Sequence, residues 1–75
     1  MKRLLIIVRR DSAIDSYLAD VGFIYDKVVC LHDRTCYTIN VTDKMALIKL
    51  LISKFRLKDY SISRKYDSFR FRVRS

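Results

Sequence analysis

Glutamate is missing from this chain altogether, proline and tryptophan do not occur, and glycine appears once, at Gly22. Each absence removes a class of function. A single glycine cannot build a P-loop, a dinucleotide-binding turn or a nucleophile elbow. Without glutamate, and with His32 as the one histidine, general acid–base chemistry has few candidates. No proline- or glycine-rich stretch marks a linker, a repeat or a low-complexity segment. The apolar run near the start, LLIIV, stops after five residues at Arg9 and Arg10. That is too short for a secretory core or a membrane span, which predicts a cytoplasmic location. Two cysteines, Cys30 and Cys36, do not make a disulfide scaffold and are expected as thiols in a reducing compartment.

What is present suffices for one small folded domain, residues 1–75. The apolar fraction of 51% excludes a disordered chain. The formal net charge of +8 is unevenly placed. Residues 1–43 hold six Lys/Arg and six Asp, and residues 44–75 hold ten Lys/Arg and two Asp. All the excess charge therefore falls in the last 32 residues, 10 − 2 = +8. Segregation of this kind is the electrostatic footprint of a polyanionic partner.

Hydrophobic patterning predicts a β-α-β-β-α-β-β order. RLLIIVR, residues 3–9, is apolar on both parities and fits a central strand covered on both faces. Asp11 or Ser12 can cap a helix carrying Ile14, Tyr17, Leu18 and Val21, and Gly22 can end it. IYDKVVCLH and TCYTINV predict a hairpin in which Cys30 faces Tyr37 and Val28 faces Ile39. Thr42 or Asp43 caps a second helix over about residues 44–57, with a polar stripe of Lys49, Ser53 and Arg56. A terminal hairpin pairs Ile62 with Phe69 and Tyr60 with Phe71 across a six-residue loop, SRKYDS. The order resembles the ferredoxin-like plait, which implies an α+β fold with an antiparallel sheet and two helices on one face. The plait's fourth strand would be extended to a hairpin.

The CLHDRTC stretch raises two chemistries. The spacing Cys30-x-His32-x3-Cys36, with Asp33 nearby, matches no common zinc pattern, so no metal and no cofactor is expected. His32 has no second titratable partner in view, so no catalytic residue is assigned and the chain is read as a binding protein rather than an enzyme.

The closing stretch FRFRVRS alternates Phe69, Phe71 and Val73 with Arg70, Arg72 and Arg74. Residues two apart in a strand are spaced by about 6.6 Å, on the scale of successive phosphates along a nucleic-acid backbone. Guanidinium pairs bidentately with phosphate oxygens. Arg70, Arg72 and Arg74, with Arg64 and Lys65 on the loop, would form the main surface, and Tyr66 would stack on a base. Lys49, Lys54, Arg56 and Lys58 extend that surface if the second helix borders the hairpin. The order of elements also resembles that of RNA-recognition motifs, but the ring platform of that family is missing. LLIIV has no aromatic residue, and TCYTINV offers only Tyr37, which the register points inward. Backbone contact is therefore expected, with RNA favoured over DNA because no major-groove recognition helix is evident. A second class is a phage-type inhibitor or antitoxin-like protein that binds and blocks a host protein, with shared RNA as one route. No membrane partner is expected, and self-pairing of the last strand at the sheet edge would give a homodimer.

Overall fold

The structure is a computed structural model that describes residues 2–20, 24–29, 33–65 and 68–74. Its elements run β1 (Lys2–Arg9), α1 (Ala13–Asp20), β2 (Ile24–Val29), β3 (Arg34–Val41), α2 (Lys44–Phe55), β4 (Tyr60–Lys65) and β5 (Ser68–Val73). The fold is α+β, a five-stranded mixed sheet with two helices.

The core forms where one parity of each inner strand meets the helices. Leu4, Ile6 and Val8 of β1, Tyr37 and Ile39 of β3, and Phe71 and Val73 of β5 are buried together. Ile14 and Leu18 of α1 and Ile48 and Leu51 of α2 close over them. Each such aliphatic or aromatic side chain contributes about 1.5–3 kcal/mol on full burial. Both helices thus lie on one face of the sheet, as expected, and the opposite face carries the other parity of every strand.

Strand order departs from the expected plait. The sheet reads β2-β3-β1-β5-β4. In the plait the strand after the second helix would lie beside β1. Here β5 takes that place, runs parallel to β1, and leaves β4 at the edge. The reason lies in the two hairpin sequences. Phe71 and Val73 can be fully buried next to β1, whereas YSISRK is hydroxylic and basic and leaves Ile62 39% exposed. The inner position goes to the strand with more apolar surface to bury. It follows that the last strand has no free edge. A homodimer formed through it is ruled out by this order, since the free edges belong to β2 and β4.

Two hairpin registers also differ from expectation. Ile62 pairs with Phe71 and Tyr60 with Val73, a shift of two residues that keeps the same faces. The strands extend to Lys65 and restart at Ser68, so Arg64 and Lys65 belong to β4 and not to a loop. In the other hairpin Val28 pairs with Cys36 and Lys27 with Tyr37, with an irregularity between Ile24 and Asp26. β3 itself starts one residue earlier than expected, at Arg34. Cys36 is disulfide-bonded, so the expectation of a free thiol does not hold there. Cys30, His32, Gly22 and Tyr66 lie outside the described residues.

Local chemistry fixes the helix ends. The Asp43 carboxylate accepts from the Ala46 amide at 3.1 Å and starts α2. Arg56 ends it in the left-handed region, φ 51 and ψ 48, with the Leu57 amide returning to the Ile52 carbonyl at 3.0 Å. Ser12 precedes α1, and its Oγ accepts from the Asp15 amide at 3.3 Å. Among the described residues no helix is long and apolar enough to cross a membrane.

Candidate nucleic-acid interface

The face without helices is built from alternate residues of β1, β3, β4 and β5. On β1 these are Arg3, Leu5, Ile7 and Arg9, and on β3 Arg34, Cys36, Thr38 and Asn40. Register sets Leu5 beside Arg70 and Ile7 beside Arg72, and then Arg70 beside Ser63 and Arg72 beside Ser61. Arg70, Arg72 and Arg74 are all exposed, while Phe71 and Val73 between them are buried. The alternation of FRFRVR is therefore realised as predicted, with the guanidinium row directed to solvent.

Three further arginines join that face, and the sequence reading did not include them. Arg3 and Arg9 sit at the two ends of β1, both exposed, and Arg34 opens β3 directly opposite Arg9. The face thus gathers Arg3, Arg9, Arg34, Arg70, Arg72 and Arg74 around a middle of Leu5, Ile7 and Thr38. The signal was available in RLLIIVR, where arginines two and four positions from Leu5 and Ile7 share their parity. Pairing with β3 and β5 was needed to make it meaningful.

Acidic groups do little to neutralise this surface. Asp59 lies 3.6 Å from Arg74, and both partners are about half exposed. The Arg74 amide also donates to the Asp59 carbonyl at 2.9 Å, and its guanidinium donates to Ser61 Oγ at 3.4 Å. Such an exposed pair is worth little energetically and serves mainly to hold the side chain. Asp26 on β2 is the other carboxylate near the face, level with Thr38. Arg9, Arg34, Arg70 and Arg72 have no carboxylate within ion-pair distance among the described residues.

The remaining expected site residues fall elsewhere. Arg64 pairs with Phe69, on the parity that faces the helices, and is exposed at the sheet edge. Lys65 lies in β4 opposite Ser68. Lys49, Lys54, Arg56 and Lys58 are exposed on or just after α2, which packs on the far side of the sheet from the arginine row. They do not extend that row. Lys54 instead places its ammonium 5.2 Å from the Tyr17 ring centroid, and Lys44 places its own 5.1 Å from the Phe69 ring.

Comparison with protein-family models, with curated proteins and with solved structures returns no match to this chain.

Beneath one end of the face lies a buried polar cluster. Asp15 of α1 is 6% exposed. Its carboxylate accepts from the Tyr37 hydroxyl, from Thr35 Oγ1 at 3.2 Å and from the Asp11 amide at 2.8 Å. Burial alone would raise this carboxyl. The Tyr37, Asp11 and Thr35 hydrogen bonds and the Lys27 charge together outweigh it and hold Asp15 below its usual 3.8. Burial, then the hydrogen bond and charge of Asp15, push the Tyr37 phenol above its ordinary 10.0. Tyr37 is fully buried, so it is a strut between β3 and α1 and not a stacking platform. The cluster ties α1 to β3 and fixes the turn after Arg9, where Asp11 takes φ 64. The Arg10 amide donates to the Asp33 carbonyl at 2.7 Å and fastens the same corner.

No metal-binding group of three or more ligands is found among the described residues. At Cys36 the disulfide removes the thiolate that a metal would need.

Proposed function

We propose that this protein binds nucleic acid, RNA in preference to DNA, by laying the phosphate backbone on the open sheet face. The observation that carries the reading is the gathering of six arginines on one surface, five from three strands and Arg74 just after the third, four of them without a carboxylate partner among the described residues. Guanidiniums on a hydrogen-bonded sheet hold fixed spacings, which suits a polyanion of regular repeat. The middle of the face offers Leu5, Ile7 and Thr38 and no aromatic ring among its described residues. Bases would therefore stay largely unread, and affinity would come from phosphates. Chemistry on the bound strand is not part of the proposal; the role is binding. A cytoplasmic site is part of it and rests on the short apolar run of β1. The disulfide at Cys36 pulls the other way, since such bonds persist in oxidising compartments.

Titration of labelled single-stranded RNA and DNA with the protein, and with an Arg70→Ser/Arg72→Ser/Arg74→Ser variant, tests the reading. Wild type should bind both, RNA more tightly, and the variant should bind neither at the same concentrations. Equal binding by folded variant and wild type would remove the assigned surface. Purification without nuclease gives a second readout, since bound nucleic acid should copurify.

A second reading, a basic inhibitor of a protein partner, is favoured by the other side of the molecule. There Met45, Leu50 and Ile62 are 38%, 50% and 39% exposed, and Lys49, Lys58 and Arg64 are exposed as well. Exposed apolar side chains on a surface that also carries cations are common at protein interfaces. Pull-down from lysate after nuclease treatment separates the two, because only a direct protein partner survives it.

A further inference from the structure

The six arginines of the open face are not arranged alike. Arg70 and Arg72 follow one another along β5, about 6.6 Å apart, and Arg74 comes directly after the strand's end. Arg9 and Arg34 are direct cross-strand partners on β1 and β3. The β1–β5 register ends at Ile7 and Arg72, and Arg9 and Arg74 each lie two residues beyond it. Arg34 and Arg9 therefore stand side by side at a strand spacing of about 4.8 Å, with Arg74 at the same end of the next strand in the sheet.

A group of this kind is unfavourable by itself. Like charges directly opposite each other in an antiparallel pair destabilise it. Arg9 and Arg34 have no carboxylate partner among the described residues to relieve them. The corner is nonetheless rigid. The Arg10–Asp33 backbone bond, Ser12 Oγ donating to the Arg9 carbonyl at 2.6 Å, and the Asp15 cluster hold both strands in place. On the far flank Asp59 and Ser61 orient Arg74. A tight group of guanidiniums carried on a fixed backbone suits one strongly charged anion better than a series of singly charged ones.

Resting on the nucleic-acid reading above, we propose that Arg9, Arg34 and Arg74 clamp the terminal phosphate of the bound strand. A terminal phosphomonoester carries about −1.5 to −2 charge and three acceptor oxygens, against −1 for each internal diester. The β5 ladder would then receive the following diesters one by one, with Arg74 at the junction of clamp and ladder.

The test uses one single-stranded RNA sequence prepared with a 5′-phosphate, with a 3′-phosphate and with hydroxyls at both ends, measured at one salt concentration. One phosphorylated end should bind about tenfold more tightly than the hydroxyl form. In an Arg9→Gln/Arg34→Gln variant that preference should vanish while the hydroxyl form still binds. An Arg70→Gln/Arg72→Gln variant should weaken all three forms by a similar factor and keep the preference. The first variant should also melt higher than wild type, because it removes a like-charge pair; this shows that it folds. Equal affinity for all three forms overturns the clamp and leaves the broader reading standing, as does a preference that survives in the Arg9→Gln/Arg34→Gln variant. Failure of all three forms to bind overturns the broader reading and the clamp with it.

Discussion

The two sides of the sheet both carry basic residues, but on different supports. The open face holds arginines on strands, at spacings set by backbone ladders. The helical side holds Lys44, Lys49, Lys54, Arg56 and Lys58 on or beside α2. Two of these lysines, Lys44 and Lys54, lie over the rings of Phe69 and Tyr17 and so serve packing inside the fold. Guanidiniums fixed on a sheet lose less freedom on meeting a phosphate than ammoniums on flexible stems. Equal charge on the two faces therefore does not mean equal affinity for a polyanion.

The largest expected effect separates the faces directly. With about four phosphates neutralised, log K should fall against log salt with a slope of roughly −3 to −4. Arg70→Ser/Arg72→Ser/Arg74→Ser should flatten it by about two to three units and weaken binding about 10²–10³-fold. A Lys49→Gln/Lys54→Gln/Lys58→Gln variant removes the same formal charge and should shift the slope by less than about one unit. Similar losses in both variants would show a diffuse electrostatic effect with no preferred face.

Next in size is the buried cluster that joins the two sides. Asp15→Asn keeps the shape but weakens three hydrogen bonds to a carboxylate, and should cost about 1.5–3 kcal/mol of stability by chemical denaturation. The pH dependence follows from the two shifts. Asp15 is held below 3.8 in the fold, so its contribution is complete above that value and is lost as pH falls below it. Tyr37 is raised above 10.0, so its contribution is complete below that value and is lost as pH climbs past it. Asp15→Asn should abolish the acid limb contributed by this carboxyl. An unchanged acid limb would mean that other carboxylates govern it.

Much of this comparison was legible in the chain, and the misses have physical causes. The doubly apolar parity of β1 marked it as a central strand, and FRFRVR declared its own faces. Asp43 and the period of α2 located that helix to within two residues of its end. Strand order was not legible, because local pattern states which face a strand buries and not which neighbour it takes. Counting charge along the chain misled in a related way. Residues 1–43 sum to zero, yet they supply Arg3, Arg9 and Arg34 to the cationic face. Three of their six aspartates are drawn off to other work: Asp15 into the core, Asp43 onto a helix cap, Asp11 towards Arg10. Folding created the charge separation that the linear sum had assigned to the last 32 residues.

The smallest expected effect tests the helical side alone. Arg56 occupies the left-handed region at the end of α2, where a side chain with a Cβ is strained and glycine is not. Arg56→Gly should therefore raise stability by roughly 0.5–1 kcal/mol, read as a small increase in denaturation midpoint. It also deletes one cation from the helical side. If the open face is the binding surface, the variant should be more stable and bind RNA as tightly as wild type at physiological salt. A gain in stability joined to a clear loss of affinity would place a phosphate contact at the end of α2 and draw the two faces into one surface.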